Sequence, residues 1–395
     1  MKNFRFLSIF IFCSLLIASL LFGIKYPQKQ LPVEKNKPKN YTLAKDIKFN
    51  RDKEIAFGQS AFLSEGPLKL YSSLIRNAIH ARFKRENEAG GIQSKQLRLI
   101  SMDDKDKPEV CEENIKTMMR KGIDTFIGNV GVRGILKVLP LIQNKKIAML
   151  FPWGGDEKLR QSDLTNIVNG LGLIEPQAKK LVEYAVDELH LDKIAIFNSD
   201  GYYEIENEKI IISKLKEKKI EPVATASYNR FTMDISAHAK KLIEADPKLV
   251  ICLSTSKPTI KLINKFFVAG HYGTQFIGID SNLFVPTIMK RRGVKFAYSS
   301  PMPNPQKSNL IIVKMFREDM KKYFPDDPIN ILSLSYYIHA SIIIEAMKKI
   351  TGEITKEKII GQIEDMQDFD LLGFKVNFND ENRYAYEHKI EILES

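Results

Sequence analysis

The sequence has 395 residues, of which 44% are apolar, so it can bury a large core and is long enough for two or three domains or lobes. Its formal net charge of +12 would suit nucleic acid or an anionic membrane. The first fifty residues carry nine basic and two acidic side chains, however, which leaves +5 for the other 345. Because no zinc-finger, helix-turn-helix or aromatic–basic signature is present, nucleic acid is not an expected partner.

The N-terminus combines two basic residues, Lys2 and Arg5, with an uncharged apolar run of nineteen residues, 6–24. This order is typical of an export signal. The run is also long enough to span a bilayer, and no clean small-residue cleavage site follows it. Residues 1–24 are therefore either a cleaved signal peptide or an uncleaved membrane anchor. In both cases the positive flank places the rest of the chain in the periplasm or another extracytoplasmic space.

The residues that follow this run predict a tether rather than a folded unit. Residues 25–50 are rich in Lys, Pro, Asn and Gln and poor in apolar side chains, so they are expected to form a polar linker. Beyond the linker, Cys111 and Cys252 are far apart in sequence and lie in a helix and a strand candidate. We expect free thiols there, so the exported chain does not depend on a disulfide.

From Lys53 onward, apolar runs of strand length alternate with amphipathic segments of helix length. The strand candidates are Glu54–Gly58, Gln96–Met102, Thr125–Ile127, Ile147–Phe151, Lys193–Asn198, Glu221–Tyr228, Leu249–Leu253, Gln275–Ile279 and Val294–Ser299, with shorter pieces at Phe374–Phe378 and Tyr384–Leu393. The helix candidates are Lys69–Glu88, Glu109–Lys121, Gly134–Gln143, Glu175–His190, Glu204–Lys218, Ile235–Ala245, Lys257–Ala269, Ser308–Tyr323 and Leu332–Ile350. Runs such as KIAIF are apolar throughout, as strands covered on both faces are. Because the alternation occurs twice, we predict an α/β fold with two doubly wound parallel-sheet lobes.

Ligands of such sheets bind beyond the carboxyl ends of the strands, so the loops there are the functional candidates. These loops are 58–67, which contains Ser64, then GNVGVRG at 128–134, PWGG at 152–155, and in the second half 198–204, 254–258 and 280–282. The glycines of GNVGVRG predict either an ordinary tight turn or a close backbone approach to a ligand, with N–H groups aimed at an anion. Trp153 is the sole tryptophan and lies beside two glycines, which predicts either an aromatic wall for a small organic ligand or a core residue.

Three patterns that could indicate catalysis or metal binding are weak. Ser254 and Lys257 match S-x-x-K, but the companion elements of serine acylating enzymes are missing downstream. The six histidines are scattered without metal-ligand spacing. Asp103, Asp104 and Asp106 lack the glycine and distal glutamate of a calcium loop, which favours a solvated strand end. No catalytic residue, metal or cofactor is therefore predicted.

The order and spacing of several segments resemble the type I periplasmic binding proteins, and within them the substrate-binding proteins of branched-chain amino-acid (Leu/Ile/Val) ABC transporters. The segments are IAFGQSAFLSEGP, ENEAGGIQSKQLRLISMDD, FIGNVG, IAMLFPWGG, LDKIAIFNSDGYYE, LVICLSTSKP and FIGIDSN. The resemblance runs from Lys53 to the C-terminus. It implies two lobes joined by a three-crossover hinge, with residues 51–170 and 301–376 in the first lobe and 171–300 and 377–395 in the second.

The resemblance also implies which residues contact the ligand. In amino-acid-binding members, first-lobe loops hold the ligand carboxylate, and these positions fall on Gly131, Val132, Trp153, Gly154 and Gly155. The hydroxyl-bearing residues usual there are replaced by Val132 and a glycine, so side-chain donors are lost.

In the second lobe the resemblance implies three further contacts. Tyr203 matches a tyrosine that covers the ligand, and Thr255 falls near another contacting stretch. Asp280 matches the carboxylate that pairs with the ligand ammonium, since an unpaired buried charge is costly. The alternative for Asp280 is a solvated strand-end residue.

We therefore expect a binding protein that closes on a small ligand, such as an amino acid, an amide or a related molecule, and presents it to an ABC transporter permease. Closure is favoured because the ligand touches both lobes. The alternative is a membrane-tethered sensing domain of the same fold, which an uncleaved anchor over residues 6–24 would favour. An exported enzyme is a third option, although no nucleophile–base pair stands out.

Overall fold

The computed structural model describes residues 41–64, 68–154, 157–170, 174–230, 232–290, 293–378 and 391–394. The first lobe is built on a parallel sheet of five strands in the order β2-β1-β3-β4-β5. These strands are β1 (Glu54–Ala61), β2 (Gln96–Asp103), β3 (Thr125–Ile127), β4 (Ala148–Leu150) and β5 (Ile167–Val168). Its helices are α1 (Lys69–Glu88), α2 (Pro108–Arg120), α3 (Val132–Lys137) and α4 (Leu139–Gln143).

The second lobe repeats this strand order. Its strands are β6 (Ile194–Ser199), β7 (Ala224–Tyr228), β8 (Leu249–Leu253), β9 (Gln275–Ile279) and β10 (Phe296–Ser300), parallel in the order β10-β9-β8-β6-β7, with β13 (Glu391–Glu394) antiparallel beside β10. Its helices are α5 (Ile174–Glu183), α6 (Tyr202–Glu217), α7 (Ser236–Glu244), α8 (Ser256–Val268) and α9 (Val285–Lys290). In both sheets the second strand lies outside the first, so the order reverses between β1 and β3 and between β6 and β8.

Both sheets are covered on both faces, which explains their continuously apolar strands. The adjacent residues Phe126 and Ile127 belong to different core clusters on opposite faces of the first sheet, and Ile196 and Phe197 do the same in the second. All four side chains are fully buried. The prediction of two doubly wound parallel-sheet lobes is therefore confirmed.

After β10 the chain returns to the first lobe. Helices α10 (Ile311–Tyr323), α11 (Ile331–Lys349) and α12 (Lys356–Glu364) lead to a hairpin of β11 (Phe369–Leu371) and β12 (Phe374–Val376). Helix α11 packs on α1, where Arg82 Nε donates to Ser341 Oγ at 3.0 Å. The chain thus passes between the lobes three times: after β5, after β10, and between β12 and β13.

Several helices and strands have bounds that differ from those predicted from the sequence. Helix 134–143 is two short helices that meet at Val138, with Pro140 at the start of the second. Strand β5 and helices α9 and α12 were not predicted. The thiols of Cys111 and Cys252 are free and buried, as expected.

The last ten residues of the predicted linker pack on the first lobe, so that part of the prediction was wrong. Thr42 N–H donates to Ser101 O at 2.7 Å, and Ile47 is buried against Ile100 and Met102. Phe49 and Tyr41 also pack against core clusters, and Arg98 donates to Lys48 O at 2.6 Å, so several contacts dock this segment beside β2. The rest of the predicted linker, the N-terminal apolar run, and residues 384–390 of the last strand candidate lie outside the described residues.

Candidate functional site

The reversal of strand order places one crevice in each lobe. The loops after β1 and β3 border it in the first lobe, and those after β6 and β8 border it in the second. Open α/β sheets bind ligands at this position because the two flanking loops diverge to opposite faces of the sheet. The predicted site residues lie on these loops and on those of the neighbouring strands β4 and β9.

Two first-lobe loops are joined by their backbones. Val130 forms a parallel bridge with Trp153, Trp153 N–H donates to Asn129 O at 2.7 Å, and Gly131 N–H donates to Trp153 O at 3.3 Å. The sequence left two interpretations of GNVGVRG open, an ordinary tight turn or N–H groups aimed at an anion, and the resemblance implied a ligand contact at Trp153. The N–H groups of Gly131 and Trp153 hold the two loops together.

The same two loops are tightly packed. Gly131 has φ of +103°, a conformation that side-chain-bearing residues rarely adopt, so this turn requires glycine. A Cβ added at Gly154 would lie 3.1 Å from Ile135 Cδ1 and 3.3 Å from Val132 Cγ2, so these two side chains fill the space that a larger residue would need. The structure thus brings Gly131, Val132, Trp153 and Gly154 together, while Gly155 lies outside the described residues.

Phe151 holds a strained backbone conformation directly before this pair of loops. Its φ is +52°, which is costly for a residue with a bulky side chain. The ring is fully buried and stacks on His339 with centroids 4.3 Å apart, and Phe151 N–H donates to Val168 O at 2.6 Å. Packing therefore fixes the conformation that directs the chain into Pro152 and Trp153.

Asp103 and Asp104 are buried rather than solvated, which corrects the expectation for this strand end. Asp103 Oδ1 accepts from the N–H groups of Leu63 at 2.9 Å and Ser64 at 3.1 Å. Asp104 accepts from Ser60 Oγ at 3.0 Å, and burial raises the pKa of Asp104 to about 7. The carboxylates fasten the loop that carries Ser64. Within the described residues no cluster of His, Cys, Asp and Glu has the arrangement of a metal site.

Several hydroxyl groups lie at the second-lobe side of the crevice, together with the carboxyl of Glu204, whose pKa is raised by burial. Tyr228 and Ser254 share a buried hydrogen bond of 2.7 Å, and burial raises the pKa of Tyr228 to about 12. Ser256 Oγ accepts from Phe284 N–H at 3.0 Å. Thr255 lies at the start of α8, so these groups surround the first turn of that helix.

The structure gives the backbone positions of two predicted second-lobe site residues. Tyr203 lies in the first turn of α6, and Asp280 begins a 3₁₀ turn at Asp280–Asn282. That turn is tied to the loop after β8, since Ser281 Oγ donates to Ser254 O at 3.0 Å and Asn282 Nδ2 donates to Cys252 O at 2.9 Å. Asp280 and Thr255 therefore belong to one joined pair of loops. The side chains of Tyr203 and Asp280 lie outside the described residues.

Tyr71 is a site residue that sequence reasoning missed. It lies in the first turn of α1, and its ring stacks on Trp153 with centroids 5.5 Å apart and planes 13° apart. The same ring meets the edge of the Phe284 ring with centroids 6.3 Å apart, and burial raises the pKa of the Tyr71 phenol. Its position was the available signal: it is the one aromatic in the first turn of the helix that follows β1.

Comparisons with known proteins identify the family. A sequence profile of the family described as "Periplasmic binding protein" matches residues 54–393. The chain belongs to this family. A Leu/Ile/Val-binding protein homolog 1 from Brucella abortus is 22% identical over 276 residues, which covers 67% of this chain and 74% of that protein. A Leu/Ile/Val-binding protein homolog 3 from Brucella melitensis is 22% identical over 150 residues, and this match spans less than half of that protein, 40%.

Solved structures of periplasmic binding proteins have the same fold. A possible leucine/isoleucine/valine-binding protein from Rhodopirellula baltica SH 1 has a TM-score of 0.74 and 22% identity, with 87% of this chain and 93% of that chain covered. A solute-binding protein of an ABC transporter from R. palustris, solved with 4-hydroxybenzoate, has a TM-score of 0.74 and 14% identity, with 86% and 92% covered. At these identities the likeness extends to the fold and leaves the ligand open.

The membrane-anchor hypothesis for this periplasmic binding protein concerns residues 6–24, which lie outside the described residues. In the part of the chain that the structure describes, none of the helices is both long and apolar enough to cross a bilayer.

Proposed function

We propose that this periplasmic binding protein is an extracytoplasmic solute-binding protein that takes a small organic ligand into the cleft and presents it to the permease of an ABC transporter. The observation that carries the proposal is the contact between Trp153 of the first lobe and Phe284 of the second through the ring of Tyr71. A ligand at this point would touch both lobes and would favour the state in which they are together.

The relatives support a ligand of this size. Two are named for leucine, isoleucine and valine, and one structure holds 4-hydroxybenzoate. Amino acids, amides and aromatic acids are therefore the classes to test. The site itself favours an aromatic or apolar group beside Trp153. The N–H groups of Gly131 and Trp153 already donate to other backbone atoms of the first lobe, and the side chain of Val132 has no hydrogen-bond donor.

A thermal-shift screen of amino acids, amides, short peptides and aromatic acids tests this function. A ligand present at one hundred times its Kd stabilises the folded state by about 2.7 kcal/mol. We expect at least one class to raise the Tm of the wild-type protein. If every class leaves the Tm unchanged at millimolar concentration, the solute-binding proposal fails for these classes.

A membrane-tethered sensor of the same fold is the second candidate, and the nineteen-residue apolar run at 6–24 favours it. Mass spectrometry of the exported chain separates the two. A chain that begins after this run supports a freely diffusing transport component, and an intact N-terminus in the membrane fraction supports a tethered sensor.

A further inference from the structure

We propose that His339 of α11 is a stop for the hinge. Its ring blocks movement of the first crossing between the lobes towards α11, and through Phe151 it couples the position of that crossing to the position of Trp153. The stop is a property of the hinge and does not depend on a solute. Its effect on solute affinity rests on the function proposed above.

His339 belongs to a ring column of three buried side chains, Tyr336, His339 and Phe151. The His339 ring is parallel to that of Phe151, with centroids 4.3 Å apart and planes 3° apart. Tyr336, one turn earlier on α11, meets the His339 ring at 86° with centroids 4.9 Å apart. Each of the three residues is at most 1% exposed. Rings packed at interior density cannot shift without opening a void or creating a clash, so the ring column is a rigid element.

Two of the three crossings between the lobes rest on this ring column. Gly170 begins the first crossing, directly after β5. A Cβ added there would overlap Cε1 and Nε2 of His339 and would lie 2.8 Å from Phe151 Cδ1, so the Gly170 backbone contacts both rings. Phe378 begins the third crossing, after β12, and its buried ring packs on that of Phe151 with centroids 6.4 Å apart. The ring column therefore contacts two of the segments that must rotate when the angle between the lobes changes.

The direction of the block follows from these contacts. Hinge motion is absorbed by backbone rotation in a few residues at the ends of helices and strands. Rotation of the first crossing towards α11 would drive the Gly170 backbone into the rings of His339 and Phe151. Because both rings are fully buried, they could yield only if the first-lobe core repacked. His339 therefore fixes one limit of the angle between the lobes.

Phe151 transmits this effect to the cleft. Its N–H donates to Val168 O at 2.6 Å, so it is joined to β5 two residues before Gly170. Its φ is +52°, and the chain reaches Trp153 two residues later. Packing maintains this strained conformation, so loss of the His339 ring would let the Phe151 backbone relax and would displace Trp153. His339 is thus a positioning residue that acts through Phe151.

The first experiment measures the distance between the lobes without added solute, by double electron–electron resonance. Spin labels are attached at Ser162→Cys in the first lobe and Ser236→Cys in the second, since both positions are exposed. Cys111 and Cys252 are buried, and Cys13→Ser removes the third cysteine of the chain.

Gly170→Ala is expected to shift the mean distance by about 2 Å or more, because its Cβ needs about 1 Å more room than the rings leave and the labels lie farther from the hinge. His339→Ala should broaden the distance distribution. Phe83→Ala is the matched control: it removes a buried first-lobe ring that packs on Phe57, and it should keep the wild-type distribution. If Gly170→Ala and His339→Ala both keep the wild-type distribution, the stop is refuted.

The second experiment exchanges side-chain volume between the two positions. In Gly170→Ala/His339→Ala the new methyl group enters the space that the His339 ring leaves, so the double variant should recover the wild-type mean distance. A departure equal to the sum of the two single effects would show that the residues do not act on each other. If Gly170→Ala does not fold, recovery of folding in the double variant supports the steric contact, and its mean distance decides for or against the stop.

Two further measurements separate positioning from general stability. His339→Phe keeps a planar ring and should restore the wild-type distance distribution, whereas behaviour like that of His339→Ala would show that the ring does not set the limit. Acrylamide quenching of Trp153, the sole tryptophan, should rise in His339→Ala and stay at the wild-type value in Phe83→Ala. Equal quenching in these two variants would overturn the coupling to Trp153.

The effect on binding is tested with L-leucine and 4-hydroxybenzoate as probes. For a probe that binds the wild type, Gly170→Ala should lower the affinity about tenfold, because a smaller fraction of the protein reaches the binding-competent angle. The double variant should restore that affinity. Equal affinity in the wild type and Gly170→Ala would show that the stop does not govern binding. If neither probe binds the wild type while the distances change as expected, the solute-binding proposal fails for these probes and the stop stands.

Discussion

The buried carboxyl of Asp104 is expected to make the free energy of unfolding depend on pH. Asp104→Asn should remove most of that dependence. Asp104 is 3% exposed, and burial raises its pKa from 3.8 to about 7, with smaller upward effects from Asp103 and Asp106. The folded state therefore binds the proton more tightly than the unfolded state. The stabilisation is fully present below about pH 4 and is lost as the pH rises through 7.

A shift of about 3 pKa units corresponds to about 4 kcal/mol over the whole range, of which about 2.5 kcal/mol falls between pH 5 and pH 8. Asparagine keeps the shape of the protonated carboxyl and can still accept from Asp106 N–H, which lies 3.0 Å from Oδ1. We expect urea unfolding to show that the free energy of unfolding of Asp104→Asn, relative to that of the wild type, rises by about 2.5 kcal/mol between pH 5 and pH 8. Asp163→Asn, which removes an exposed carboxylate, is the control. A constant difference between Asp104→Asn and the wild type at both pH values would show that Asp104 does not have a raised pKa in the folded state.

Three further predictions concern the site. Gly131→Ala should destabilise the protein by about 1–2 kcal/mol in urea unfolding because φ is +103° there, whereas Gly361→Ala, at a helical position with open space around its Cβ, should not. Trp153→Ala should abolish the thermal shift produced by a bound solute, and unchanged affinity would assign Trp153 to the core alone. Asp280→Asn should abolish the shift from ligands that carry an amine and spare that from neutral ligands, and an equal loss for both would show that Asp280 does not pair with an ammonium group.

The sequence was sufficient for the fold where the pattern was local. Strands such as Leu249–Leu253 and Gln275–Ile279 were predicted with the observed bounds because an unbroken apolar run of strand length has few alternatives. Helix Lys69–Glu88 was also predicted with its observed bounds. Strand β5 was missed because two residues carry no periodicity, and it forms only by pairing with β4. The docking of Ile47 likewise depends on a distant partner.

The structure places Gly131, Trp153 and Thr255 on loops at strand ends, as the sequence predicted, and a ligand site there stays a prediction. Which backbone donors stay available depends on a bridge between Val130 and Trp153 that no sequence pattern encodes. Tyr71 was missed for a related reason: its ring partners Trp153 and Phe284 belong to two distant segments, and their meeting depends on the way the two lobes face each other.

The acidic pair that resembled a metal site instead contributes rigidity to the cleft. Asp103 holds the backbone of Leu63 and Ser64, while the packed, strained Phe151 sets the direction of Pro152 and Trp153. The bridge between the loops after β3 and β4 then fixes Trp153 against the first sheet. A ring stacked on Trp153 therefore meets a surface whose position is already determined before the lobes come together. Little free energy is then lost in ordering the first lobe when the ring binds. The contacts between the ring and the second lobe therefore decide how strongly the closed state is favoured.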